Sequence, residues 1–216
     1  MFALTNASTC FAQASDGNVR TSHHHLKLQY GIASDADFGP SLLFLNDQSI
    51  EKTSLIGLSY GRSLSNTFFK RLFRGREVDV VGYIGIQKYN ERGFQPDSPG
   101  LTIYYKVYHE WTPRWLSNHL HIRFGLGQGL SHAYRIPVAE QRDFEPKNSA
   151  ELVHYLEWSL QLPVSGLLNA IGLPHSSTTE HLWLGYSIFH RSTVFGLFAD
   201  SSGGINYPGI SIEKRF

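Results

Sequence analysis

Two stretches near the end of the chain decide its class: EHLWLGYSIFHRS, Glu180–Ser192, and GINYPGISIEKRF, Gly204–Phe216. Side chains alternate between the two faces of a strand. In the first stretch Leu182, Leu184, Tyr186 and Ile188 therefore share one face, while Trp183, Gly185, Ser187, Phe189 and Arg191 share the other. The apolar face ends in His190 and Ser192, still in the same parity. In the second stretch Asn206, Ile210, Ile212 and Phe216 share a parity that also carries Pro208 and Lys214. The pair reads as two antiparallel strands joined by a loop. A His, a Ser and an Asn lie on its apolar face, near the loop end.

Six further candidate strands precede this pair: His24–Ala33, Lys52–Leu64, Glu77–Tyr89, Gly100–Trp111, His119–Ser131 and Ser149–Leu162. The fourth is the clearest, with Leu101, Ile103, Tyr105 and Val107 set against Thr102, Tyr104, Lys106, Tyr108 and Glu110. The fifth sets Leu120, Ile122, Phe124 and Leu126 against His121, Arg123, Gly125 and Gly127, and the sixth sets Leu152, Leu156, Trp158 and Leu160 against Val153, Tyr155, Glu157 and Ser159. These strands run about 10–14 residues, where soluble strands average about 5–6. Thirteen residues at about 3.3 Å each, tilted about 40°, span roughly 30 Å, enough for an apolar band of about 25 Å.

The second face repeatedly carries charge: Lys27, Arg62, Asp79, Lys106, Glu110, Arg123, Glu157, Arg191 and Glu213. The chain offers no set of helices to cover so many apolar faces. Lipid outside and a packed polar network inside accounts for both faces. The expected fold is therefore all-β, an eight-stranded antiparallel transmembrane β-barrel in one domain, residues 15–216. Arg123, Glu157, Lys106 and Glu110 are expected to form a closed ionic network that fills its interior.

Composition agrees with this class. The chain has 19 Lys+Arg against 18 Asp+Glu, a net charge of +1, so no basic field points to nucleic acid. The single cysteine, Cys10, excludes an internal disulfide. No run approaches the roughly 18 apolar residues of a spanning helix. Adjacent His23, His24 and His25 alternate faces on a strand and do not converge on one ion; no metal or other cofactor is expected. Residues 1–14 read as the end of a secretory signal, with Ala12-Gln13-Ala14 as its cleavage site.

With the first strand running outward from the periplasm, the outward loops fall at 34–51, 90–99, 132–148 and 193–203. The inner connections fall at 65–76, 112–118 and 163–179, with Val164–Leu173 read as one short amphipathic helix and Phe68–Arg74 as an aromatic, basic turn.

The polar trio fits one chemistry. Ester cleavage needs a nucleophile, a base for its proton and a group that holds the base in the right tautomer. Ser192 can attack, His190 can accept the proton and Asn206 can orient the imidazole through its side-chain oxygen. Residues i and i+2 point the same way on a strand, so His-x-Ser brings imidazole and hydroxyl together. Asp200 is a competing third member.

His190-Arg191-Ser192, a loop and then Gly204-Ile205-Asn206 resemble the eight-stranded outer-membrane lipid A 3-O-deacylases. The resemblance implies a His-x-Ser pair on strand seven and an acidic partner on strand eight. That partner, a Glu in the family, is matched here by Asn206, and Thr193 stands where an Asn usually follows the Ser. Asn as the third member is similar to the outer-membrane phospholipases A. The terminal Phe216, with Ile212 and Ile210 in register behind it, resembles the signature that such barrels present to their insertion machinery. The resemblance implies a bacterial outer-membrane hydrolase acting on an ester-linked acyl chain of lipid A or lipopolysaccharide, surrounded by membrane lipids. The alternatives are a phospholipase A and a non-catalytic structural or adhesive barrel.

Overall fold

The computed structural model describes residues 24–64, 78–113, 120–143, 150–193 and 204–216. Eight strands follow in chain order: β1 (His24–Ile32), β2 (Ser54–Ser63), β3 (Asp79–Asn90), β4 (Ser98–Trp111), β5 (Ile122–Ala133), β6 (Leu152–Pro163), β7 (Leu182–Ser192) and β8 (Gly204–Arg215). Each pairs antiparallel with its sequence neighbour, and β1 pairs with β8 to close a barrel. Leu28 faces Ile212 across that closing seam, and His24 and Phe216 exchange backbone hydrogen bonds of 3.1 and 3.0 Å. Closure removes every sheet edge, so no strand leaves a row of unpaired backbone groups.

The two faces carry the polarity that alternation predicts. Leu26, Leu28, Tyr30, Ile84, Ile86, Ile103, Leu126 and Ile210 point outward and are exposed. Lys27, Lys106, Arg123, Glu157 and Glu213 point inward and are buried. An apolar exterior over a polar interior is the polarity of a transmembrane barrel. Among the described residues no helix is long and apolar enough to cross a membrane, which does not bear on crossing by strands.

The interior is packed with a hydrogen-bonded network of charges, in which a few groups, Arg123 Nη1 and the Tyr104 hydroxyl among them, have no hydrogen-bond partner among the described residues. Glu157 accepts from Lys106 Nζ at 2.6 Å and also from Lys27 Nζ and the Tyr155 hydroxyl. Glu213 accepts from Tyr108 at 2.7 Å, Tyr83 at 3.1 Å and His25 Nδ1 at 3.0 Å, and pairs with Arg123 at 3.1 Å. Arg123 also donates twice to Gln161 Oε1, at 3.0 and 2.7 Å. Above these charges runs an aromatic series, Tyr83–Tyr104–Tyr155–Phe189–Tyr207, with successive ring centroids 4.9, 4.1, 4.9 and 5.9 Å apart. Lys27 Nζ sits 4.9 Å from the Tyr104 centroid, so the rings meet the cation with their negative faces.

Three of the charges expected inside, Arg62, Asp79 and Glu110, are not part of this network, and Arg191 belongs to a separate one at the upper end. Arg62 shares its parity with Ile56, Leu58 and Tyr60 and is exposed on the outer face near the end of β2. Glu110 has inward parity but lies exposed near the end of β4, where it pairs with Arg215 and approaches His121 at 3.7 Å. Near a strand end the wall no longer separates two solvents, and alternation ceases to sort charge. His25 and Glu213, which sequence alone did not bring together, take the central places instead.

The upper end of the barrel carries the connections after β1, β3, β5 and β7. After β1 the chain forms a short helix, α1 (Phe38–Leu42), which packs on the outside of β7 and β8. After β5, α2 (Val138–Asp143) sends Glu140 into the barrel, buried, to meet Arg191 Nε at 2.7 Å. Arg191 also donates to Ser131 Oγ at 2.9 Å and to the Ala150 and Glu151 carbonyls at 3.1 and 3.2 Å. The Val138 N–H donates to Glu91 at 3.1 Å, and burial pushes the Glu91 carboxyl above its usual range despite that bond. Arg142 of α2 reaches the β1–β2 connection, pairing with Asp35 and, at 3.4 Å, with Glu51.

At the lower end the expected helix is found as α3 (Val164–Ala170), followed by α4 (Ser177–Glu180). The signal-like residues 1–14 with Cys10, the aromatic turn Phe68–Arg74, and Asp200 lie outside the described residues.

Candidate active site

The register of β6, β7 and β8 assembles a polar group on the outer face at the upper end. His190 faces Asn206 across β7 and β8. Ser192, two residues further along β7 and on the same face, lies between Gly204 of β8 and His154 of β6. Residues directly opposite in an antiparallel pair hold their Cβ atoms about 4.5–5.5 Å apart. Imidazole, hydroxyl and amide are thus neighbours by construction of the sheet, without help from a flexible loop.

Asn206 is held from the far side. A bridge from Ser34 extends the β1–β8 pairing past the strand end, and Asn206 Nδ2 donates to the Ala36 carbonyl at 2.7 Å. With its nitrogen committed there, Oδ1 is the amide atom left for the imidazole, whose ring adjoins it. His190 Nδ1 and Asn206 Oδ1 both lack a hydrogen-bond partner. One bond from Nδ1–H to Oδ1 satisfies both atoms, whose isolation costs about 1–3 kcal/mol each. It also fixes the tautomer with a lone pair on Nε2, the nitrogen a neighbouring serine needs. Catalytic hydrogen bonds are often long in a ligand-free enzyme and tighten around substrate.

The trio does not stand on an open lipid-facing rim, as its outward parity suggested. The β1–β2 connection folds down over it. The Phe38 ring lies 5.3 Å from His190, and Phe44 lies 4.5 Å from Tyr186, whose hydroxyl donates to the Ser41 carbonyl at 3.1 Å. Asn206 is 3% exposed and Ile188 fully buried, although both point outward. The cause lies in the loop itself. Phe38 and Phe44 supply the covering rings, while Leu43 and Leu45 stay exposed, and Phe44 adopts φ 61°, an uncommon backbone for a bulky residue. His190 and Ser192 remain partly exposed beside this cover.

Sequence reasoning passed over two neighbours. A Cβ at Gly204 would sit 1.9 Å from the Arg191 carbonyl oxygen and 2.6 Å from His190 Cε1. The glycine is what lets β8 approach the imidazole, and its signal is its place two residues before Asn206. Gly204→Ala is expected to leave a folded barrel with a displaced His190, and to lower any activity of the site by about 10²-fold. Assay of the folded fraction checks this; unchanged turnover would remove Gly204 from the site. His154 shares the apolar parity of β6, the same signal that singled out His190.

A closed eight-stranded antiparallel barrel, apolar outside and charged inside, is an integral-membrane β-barrel by its physics. Among solved structures, the chain is similar to the one described as the outer membrane enzyme PagL. The TM-score is 0.51 and the identity 10%, with 89% of this chain and 99% of that chain covered. No protein family matches the sequence, and no curated protein matches it. The likeness is one of fold.

Proposed function

We propose that this protein is a bacterial outer-membrane esterase that removes an ester-linked acyl chain from lipid A or lipopolysaccharide. The observation that carries the reading is the pairing of His190 with Asn206, with Ser192 on the same face two residues away. Ser192 Oγ attacks the ester carbonyl while His190 Nε2 takes its proton. Asn206 holds the Nδ1–H side of the ring and keeps that tautomer. The imidazolium then protonates the departing alcohol, and water repeats the sequence on the acyl-enzyme. Phe38 shields the imidazole from bulk water on one side. A site on the barrel's outer face meets an acyl ester within the leaflet, so the lipid need not be extracted. The fold shared with PagL and the resemblance of His190, Ser192 and the Gly204–Asn206 segment to the lipid A 3-O-deacylases support the same substrate class.

Asn206 gives a second reading, because an Asn in this place also resembles the phospholipases A. Purified, folded protein in detergent is therefore assayed against lipid A and against phospholipid, with mass spectrometry of the released acid. Release of a 3-hydroxy fatty acid from lipid A is the expected result. Release from phospholipid alone transfers the same chemistry to the second substrate. No release from either overturns the esterase reading in favour of a structural barrel. Asn206→Ala is expected to be the mildest of the three site substitutions, since water can partly replace an orienting amide. Asn206→Glu supplies the third residue of the lipid A 3-O-deacylases but gives up the donor to the Ala36 carbonyl, and is expected to turn over more slowly than the parent and faster than Asn206→Ala.

A further inference from the structure

Resting on the esterase reading, we propose that His154 is a further catalytic residue, the side-chain donor that stabilises the oxyanion formed when Ser192 attacks the ester. The register carries the argument. Ser192 on β7 has two lateral neighbours on the outer face, Gly204 on β8 and His154 on β6. Gly204 contributes no side chain. His154 contributes an imidazole, partly exposed on the same face, with Leu130 of β5 on its other side. His190 is already engaged along the strand, its far edge facing Asn206. The two histidines therefore approach Ser192 from different directions, one along β7 and one across from β6.

A barrel wall offers few other donors at this point. The backbone N–H groups along the paired strands are used in the ladder, so among the described residues beside Ser192 the lateral side-chain donor is His154. A neutral imidazole provides one N–H for the purpose. No hydrogen bond or ion pair to another described residue occupies the His154 ring. Burying an imidazole edge among leucines without such a use leaves a polar group that an apolar residue at this parity would avoid.

In the step itself, the Ser192 Oγ–carbon bond forms as the Ser192 proton passes to His190 Nε2. The carbonyl π pair moves onto oxygen, and His154 donates its N–H to that oxygen without giving up the proton. Collapse re-forms the carbonyl, breaks the carbon–alkoxy bond and returns the His190 proton to the leaving alkoxide. Hydrolysis of the acyl-Ser192 ester repeats both halves with water. His154 thus interacts most strongly with the charge that exists only in the transition state, and its loss should fall on kcat rather than KM.

The test uses full-length folded protein in detergent, an acyl-ester substrate shown to be cleaved by the parent, and a fluorophosphonate probe that labels activated serines. His154→Ala is expected to lower kcat by about 10²–10³-fold with little change in KM. His154→Gln, which keeps an N–H donor, is expected to recover to within about tenfold of the parent and to retain its pH profile. His132→Ala, an outward histidine on β5 paired with Leu152 and away from the Ser192 row, is the control and should behave as the parent. A fully active His154→Ala overturns the proposal, as does a His154→Gln variant as inactive as His154→Ala. A shift of the pH profile in His154→Gln would make His154 the base and also overturn it. A parent that neither cleaves ester nor takes the probe overturns the esterase reading itself, a result distinguishable because it needs no variant.

Discussion

Ser192→Ala is expected to lower acyl release by about 10⁴-fold or more, and His190→Ala by a similar factor, because nucleophile and base act as a unit. The double variant should be no worse than either single one. Both variants should reach the folded, heat-modifiable state, since each shortens a partly exposed side chain near a strand end and leaves the β-ladder intact. The measurement is fatty-acid release per folded molecule, with serine labelling in parallel. A Ser192→Ala protein as active as the parent would show that the nucleophile lies elsewhere. Additive losses in the double variant would show that His190 does not serve Ser192.

The largest stability effect is expected at Glu157. This carboxylate takes the ammonium groups of Lys27 and Lys106 and the Tyr155 hydroxyl, all buried. Glu157→Ala strands two cations in the barrel interior, and breaking a buried pair in this way costs about 3–5 kcal/mol. The folded band of the variant should convert to the unfolded one at a markedly lower temperature. Glu157→Gln, which keeps the shape and one acceptor oxygen, should fall between. A variant that melts with the parent would show that the lysines find other partners. The same packed network predicts no porin-sized conductance in a planar bilayer for parent or variant.

Most of the barrel was readable because one rule, alternation, acts on every strand. Its reach ended where its cause ends. Lys106, Arg123 and Glu157 sit where lipid and interior are separated by a single wall, and parity placed them correctly. Glu110 sits near a strand end, where water reaches both faces and parity carries no penalty, whereas the outward place of Arg62 follows alternation itself, on the parity of Ile56, Leu58 and Tyr60. The site was legible in the same measure. His190 and Ser192 share a strand, so their relation is local. That His190 and Asn206 are opposite depends on register, and parity gives register only to within two residues. His154 stayed hidden for that reason. The cover over the site came from a different kind of information: Ala36 and Phe38 reach β7 and β8 only because β1 closes against β8, a contact between residues far apart in the chain.

The bridge from Arg142 to Asp35 and Glu51 gives the upper loops a property that exposed loops on barrels usually lack. Asp35 immediately precedes Ala36, whose carbonyl holds Asn206. Two connections that leave the barrel from different hairpins are thus tied into one frame, and that frame ends on the third residue of the trio. Loops of this kind cannot be exchanged singly. A graft that replaces the first connection must bring a matching α2 with it. A binding peptide inserted near residue 35 would register at the candidate site, although it touches neither His190 nor Ser192. For anyone using this barrel to display foreign sequences, the connections after β1 and β5 are a single part.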